Sequence, residues 1–358
     1  KSQYPQRKHD SLNGPCPAAQ IHQTMLSVNL IYGTYGESGI LTSVKNTLKM
    51  LRLLEYEGVH FYKNAFKICD VLHAHTFGPI ALFLVLVHKA LHKAVILHAH
   101  TTPQDIANSY FAANLVSLCL KGYLHLYYNL ADVCIVPSAH TKDVLIKTLK
   151  VRRRIEVISN GIDSSLYVCN EKRATEFKAD YALDDRPVVL SVGLVFLRKG
   201  IVDFVSVAKK LPNFQFVWAG RILTWPFFPH AARKVVAGAP KNVLFTGRVR
   251  NICQALSAAE VFVFPSYEEN QGIAALEAVA CGLPLILRDL PVYNDFVDGQ
   301  NCVKFTTNDE FESAIKELVT NKSVAKTLGE NGCKIVQDHD VHALSKKLLK
   351  VYLTVKRA

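Results

Sequence analysis

The chain contains no Cys-x-x-Cys pair, its nine cysteines being scattered. That argues against a zinc site or a disulfide framework, and for a reducing compartment in which the thiols serve as small buried apolar residues. Long hydrophobic runs are missing too. The longest unbroken one, Ile80 to Val87, is far too short to span a bilayer, and no signal-peptide pattern is visible, so any membrane contact is expected to be peripheral. Glycines 33, 36 and 39 give Gly-x-x-Gly-x-x-Gly, which is not the dinucleotide fingerprint. Acidic residues are in deficit, 30 against 42 Lys and Arg. The excess is spread over 17 against 10 in residues 1–163 and 25 against 20 in the remainder. Such a balance suits nucleic acid, an acidic membrane surface or anionic small substrates. The most basic stretch holds Lys142, Lys147, Lys150, Arg152, Arg153 and Arg154 against Asp143 alone. No Phe, Trp or Tyr is interleaved from His140 to Glu156, so a base-stacking platform for nucleic acid is not expected.

What is present is an α/β alternation on a chain of 358 residues, long enough for two domains. Residues 1–24 are polar and aperiodic and read as an extension ahead of the fold. From Met25 the pattern predicts strands over MLSVNLIY, DVLHAH and AVILHA, with a helix from about Leu41 to Leu54. A helix with apolar positions 111, 115, 118, 122 and 126 is amphipathic, its apolar face expected to pack on the sheet or, alternatively, to meet a membrane surface, and a Ser-capped helix follows VCIVPS. Residues 164–186 are charged and weakly periodic, a plausible linker. The second half repeats the logic with PVVLSVG, FQFVWAG, NVLFTG, VFVF and PLIL, short apolar runs that suit a parallel sheet covered on both faces. The pairs His73/His75 and His98/His100 hint at metal, but no carboxylate or cysteine completes a set, and no metal is expected. Asp338-His339-Asp340 lacks the apolar strand of a metal-nucleotide motif and reads as a helix cap.

The most informative stretch is Val261 to Pro284, VFVFPSYEENQGIAALEAVACGLP. It is a strand, a polar loop and a helix start in succession, the layout in which open α/β sheets hold ligands beyond their strand ends. Amides around Gly272 and Ile273 point out of the helix start toward any anion there. Glu269 and Glu277 stand eight positions apart, about 80° off a common face if both were helical. The pair therefore makes sense with Glu269 on the loop and Glu277 inside the helix.

This stretch resembles the Glu-x7-Glu signature of retaining nucleotide-sugar glycosyltransferases of the GT-B fold, family 4. The resemblance covers roughly residues 25–350. It implies two Rossmann-like doubly wound domains facing across a cleft: an acceptor domain at 25–163, a nucleotide-sugar domain at 187–338, and a last helix, 339–358, crossing back to the first. It further implies transfer of glucose or galactose from a UDP-sugar, with the anomeric configuration retained and neither a metal nor any cofactor beyond the donor. By the same resemblance, Lys199 and Arg198 neutralise the departing diphosphate together with the Gly272 and Ile273 amides, Lys199 first because Leu194 replaces an arginine that most relatives carry. Glu277 accepts the ribose hydroxyls, Glu269 orients the sugar, and His100 contacts the hexose from the other domain. Asn270, Gln271, Gly39 with Ile40, Gly220 and the main chain of Arg248 complete the donor site. The pattern His100, Pro103, Asp105, Ser109, with EENQGI and RDLPV, resembles more narrowly the enzymes that glycosylate diacylglycerol or monoglycosyl-diacylglycerol. Asp105 and Ser109 then face the acceptor. Lys147, Lys150 and Arg152 to Arg154 face an anionic membrane on the inner side of the cytoplasmic membrane. The rival expectations are a transferase acting on a soluble or polyprenyl-linked saccharide, and a silent sugar-nucleotide or nucleic-acid binding module.

Overall fold

The computed structural model describes residues 25–33, 39–106, 113–222 and 230–356. Ser109 and the aromatic segment 223–229 lie outside them. Two six-stranded sheets organise the chain. The first contains β1 (Leu26–Ile31), β2 (Val59–Lys63), β3 (Val71–Ala74), β4 (Ala94–His98), β5 (Val133–Val136) and β6 (Arg154–Val157). The second contains β7 (Val188–Val192), β8 (Gln215–Ala219), β9 (Val243–Gly247), β10 (Val261–Phe264), β11 (Leu285–Arg288) and β12 (Val303–Phe305). Every strand pairing among the described residues is parallel.

Parallel strands buried on both faces need apolar side chains pointing both ways, and these have them. In β7, Val188 and Leu190 join the core on one side while Val189 joins the core on the other. In β4, Val95 and Leu97 face one core and Ile96 the opposite one. The strand orders are β2-β1-β3-β4-β5-β6 and β12-β11-β10-β7-β8-β9. Each order reverses beside its first strand, between β1 and β3 and between β7 and β10. These reversals leave a crevice at the strands' C-terminal ends, where α/β sheets take ligands.

The two halves are joined at two passes of the chain. The Ile162 amide donates to the His339 carbonyl (2.9 Å), and the Val341 amide donates to Ile162 (3.0 Å). Asp340 sits between helices Lys322–His339 and Val341–Lys356, its carboxylate accepting from the Ser164 hydroxyl (2.6 Å) and the His342 amide (2.9 Å). The last helix then crosses to the first sheet. Val341, Leu344, Leu348, Val351, Tyr352 and Val355 enter the same core as β1 and Ile96.

Two expectations change here. Residues 164–186 are not extended linker: they carry the helix Glu171–Asp180, whose Phe177 is buried in the core of the second sheet with Val188 and Phe262. The helix Ala113–Asn129 forms, but Leu118 and Leu126, placed on its packed face by periodicity, are 67% exposed. Leu124, Tyr127 and Tyr128 take the core instead. Tyr127 can do so because its hydroxyl donates to the Thr76 carbonyl (2.8 Å), which satisfies its polar end within the protein.

Candidate active site

At the reversal of the second sheet, the turn after β7 and the loop after β10 are built as one piece. A short turn, Leu197–Lys199, ends at Gly200 (φ 82°), whose Cα lies against the Pro265 carbonyl so closely that a side chain would collide with it. The Tyr267 amide donates to the Arg198 carbonyl (2.8 Å). Beneath the loop, Arg288 donates to the Asp203 carboxylate (2.7 Å) and to the Pro265 carbonyl (3.1 Å), with Tyr267 stacked on the guanidinium at 3.9 Å and bonded to Asp203 (2.6 Å). Arg288 and Asp203 are buried, and with the half-exposed Tyr267 ring they brace the loop.

On that base the Lys199 ammonium pairs with the Glu269 carboxylate, their side chains only 15% and 10% exposed. Arg198 donates to the Glu268 carbonyl (3.3 Å). The helix Ile273–Ala280 begins at Gly272, φ 83°, where an added Cβ would stand 3.0 Å from the Tyr293 ring and 3.1 Å from Phe264. Glycine is required there by both conformation and space. The first intrahelical bond runs from Ala275 to Gly272, so the amides ahead of it belong to the open helix start. Fixed cations, a helix N-terminus and a carboxylate thus converge at one reversal point. Chemically this can receive an anion and stabilise charge that develops on it.

Glu277 lies in the second turn of the helix while Glu269 stays on the loop, the arrangement their spacing required. Tyr167 donates its hydroxyl to Glu277 (2.7 Å). Burial pushes the Glu277 carboxyl up to about 7, and the Tyr167 bond opposes that rise. Burial, next to this carboxylate, also pushes the Tyr167 phenol well up, so it remains a donor.

The opposing wall comes from the first sheet. Asn270 donates to the His100 carbonyl (3.0 Å), and its own carbonyl accepts from Ser138 (2.7 Å) and Thr141 (3.1 Å). Gln271 donates to Ser159 (2.5 Å) and accepts from the Asn160 amide (2.9 Å). These two residues, expected on the donor, are engaged in holding the domains together. The His100 ring stacks on His98 at 4.2 Å and bonds His75 (2.8 Å); burial holds it neutral, down at about 3. Ile40 borders a cavity of ≈ 10 Å³ with His75, His98 and His100, while Gly39, at the helix start beside it, faces open space.

The other expected residues are more dispersed. Gly220 follows β8 and packs its backbone on Gly193, and Arg248 is exposed beyond β9. Asp105 lies in the short helix Pro103–Ile106. The basic residues bond mostly locally. Lys147 pairs with Asp143 (2.6 Å), Arg153 donates to the Asn129 carbonyl (2.7 Å), and Arg154 pairs with Glu156 (2.7 Å); Lys150 and Arg152 are exposed beside them. Sequence reasoning missed Tyr167, Tyr293, Ser138, Thr141 and the Asp203–Arg288 brace. Their signal lies in contacts far along the chain, 110 residues for Tyr167 to Glu277.

Two facing doubly wound domains, with a cationic, glycine-shaped crevice on the second, define a GT-B glycosyltransferase fold. The chain belongs to the family 4 glycosyltransferases: residues 38–166 match the model of Glycosyltransferase Family 4 and residues 173–335 that of Glycosyl transferases group 1. It is 34% identical to a processive diacylglycerol alpha-glucosyltransferase of Acholeplasma laidlawii, over 73% of this chain and 79% of that one. It is 26% identical to an alpha-galactosylglucosyldiacylglycerol synthase of Streptococcus pneumoniae, over 79% and 76%. Among solved structures, Anabaena HepE in complex with UDP-glucose superposes with a TM-score of 0.73 at 16% identity, covering 92% of this chain and all of that one.

Proposed function

We propose that this enzyme transfers a hexose from a UDP-sugar to a membrane glycerolipid, diacylglycerol or its monoglycosyl derivative, with retention at the anomeric carbon. The observation that carries the donor reading is the buried Lys199–Glu269 pair beside the Gly272 helix start. In the resting site each charge neutralises the other. An arriving diphosphate would take Lys199, with Arg198 and the first helix amides, and so release Glu269 to accept from the sugar's hydroxyls. Glu277 would exchange its bond from Tyr167 for the ribose hydroxyls. As the sugar–phosphate bond breaks, charge grows on the phosphate oxygen that these groups already face, and preorganised stabilisation of this kind typically contributes 10²–10³ per donor removed. No carboxylate is assigned as a covalent nucleophile, so the acceptor hydroxyl attacks from the leaving-group face. His100 is the wall behind the hexose.

The lipid acceptor rests on the two glycolipid-forming relatives and on an exposed apolar surface of the first domain. On the helix Pro79–Ala90, Ile80, Phe83 and Leu86 are 50–59% exposed, and Leu118 and Leu126 lie exposed on the neighbouring helix. The inner faces of both helices pack into one core. Exposed apolar side chains on a domain that also carries exposed lysines and arginines suit an anionic bilayer surface. No helix among the described residues is long and apolar enough to cross a membrane. The test is UDP release from a panel of UDP-hexoses, with and without mixed micelles of diacylglycerol and an anionic lipid. Release that requires the lipid supports both donor and acceptor, and the anomeric configuration of the glycolipid product, read by NMR, tests retention. Lipid-independent release keeps the donor site and rejects the acceptor, and silence with every donor rejects both.

A further inference from the structure

Three histidines at the first sheet's reversal have no part in the transfer step. β3 and β4 pair with His73 opposite Ile96, so the two-residue alternation puts His73, His75 and His98 on one face. Their ring centroids are 4.4–5.6 Å apart, and none of the three is more than 6% exposed. The Nδ1 atom of His73 bonds the Tyr352 hydroxyl (2.8 Å), and that of His75 bonds His100 (2.8 Å). The Nε2 atoms of His73 and His75 and both ring nitrogens of His98 are buried with no hydrogen-bond partner. A buried ring nitrogen left without a partner is costly, and apolar rings would pack here at no such cost. One nitrogen from each of the three residues lies within 4.8 Å of the others.

We propose that His73, His75 and His98 bind a divalent transition-metal ion, zinc foremost, with water from the adjoining ≈ 10 Å³ cavity in the fourth position. Three imidazoles and one open position are an established zinc set. Metal–nitrogen distances of about 2.0–2.1 Å place the ligand atoms about 3.4 Å apart, so on binding the rings must turn toward a common point from the present separations of up to 4.8 Å. Tyr352 and His100 serve as the outer partners that turn Nε2 inward. Tyr352 belongs to the crossing helix, so the ion ties that helix to the sheet and steadies the His75–His100 bond. This assignment does not depend on the donor or acceptor reading.

The test uses full-length protein without a polyhistidine tag, stripped with chelator and titrated with Zn²⁺ and separately with Co²⁺. The expected result is one ion per chain, a visible Co²⁺ ligand-field spectrum, and a rise in Tm that grows with metal concentration. His73→Gln and His98→Gln abolish the spectrum, and Tyr352→Phe, a milder change, weakens affinity about 10–100-fold. His342→Ala, beside the crossover, leaves binding unchanged. The proposal is overturned if stripped wild-type protein, folded by circular dichroism, neither binds nor is stabilised by either ion. It also fails if Tyr352→Phe and the histidine variants bind as wild type does, which would put the metal elsewhere.

Discussion

The two sheets reverse their strand order in the same way, yet the reversals are furnished with opposite chemistry. In the second sheet, between β7 and β10, the crevice holds formal charges: Lys199, Glu269, Arg198 and the helix start at Gly272. In the first, the ends of β3 and β4 beside the reversal hold stacked neutral imidazoles, those of His73, His75, His98 and His100. The fold supplies the crevice twice, and the loop residues decide what each can bind. A preformed cationic crevice suits a ligand on which negative charge develops during reaction.

The largest expected effect comes from breaking the charged side. Lys199→Ala should lower turnover about 10²–10³-fold, measured as UDP release at saturating donor. It should also destabilise the apo protein by about 3–5 kcal/mol, because it strands Glu269 in a buried site. The double variant Lys199→Met with Glu269→Gln separates the two roles. Stability should return while turnover stays low, and recovery of both would mean that the pair is only structural.

A smaller effect should follow from Glu277→Gln. Losing a charged hydrogen-bond acceptor costs about 1.5–3 kcal/mol, or about 10–100-fold in donor affinity, read by titrating UDP. The pH dependence of stability has a fixed sign. The folded carboxyl is raised from 4.5 to about 7, so the native state keeps a proton that the unfolded chain releases. The resulting stability is fully present below about 4.5 and is lost as pH rises through 7. Unfolding free energies of wild type and variant, from denaturant titrations, should therefore agree near pH 4 and diverge by at most about 3 kcal/mol near pH 8, the variant being the more stable. A constant difference across that range would show that Glu277 does not titrate with folding.

How much of this was legible in the sequence follows from how local each feature is. The strands, the loop place of Glu269 and the helical place of Glu277 could be read because each depends on a few adjacent residues. Tyr167 on Glu277, Ser138 and Thr141 on Asn270, and the histidine column could not, because parallel register and domain docking bring them together from distant strands. Asn270 and Gln271 looked like donor ligands from their place in the motif, but the docked first domain engages them. The helix Ala113–Asn129 misled for another reason. It carries apolar residues on two faces, and periodicity cannot choose between them when tyrosines such as Tyr127 find carbonyl partners in the interior.

That second apolar face carries the smallest predicted effect and the sharpest test of the neutral half. Phe83, Leu118 and Leu126 are 56–67% exposed, so replacing each with serine removes little core packing and should leave the unfolding free energy within about 0.5 kcal/mol of wild type. If the surface meets a bilayer, each loses part of the 1.5–3 kcal/mol that full burial of such a side chain contributes. Co-sedimentation with vesicles of diacylglycerol and an anionic lipid should then fall several-fold per substitution, and the triple variant should lose most binding. Donor hydrolysis without lipid should stay intact, because the charged crevice lies on the other domain. Unchanged sedimentation of the triple variant, together with strong salt sensitivity, would assign the membrane contact to Lys150, Arg152 and their neighbours. Unchanged sedimentation without salt sensitivity would remove the bilayer from the account of this face.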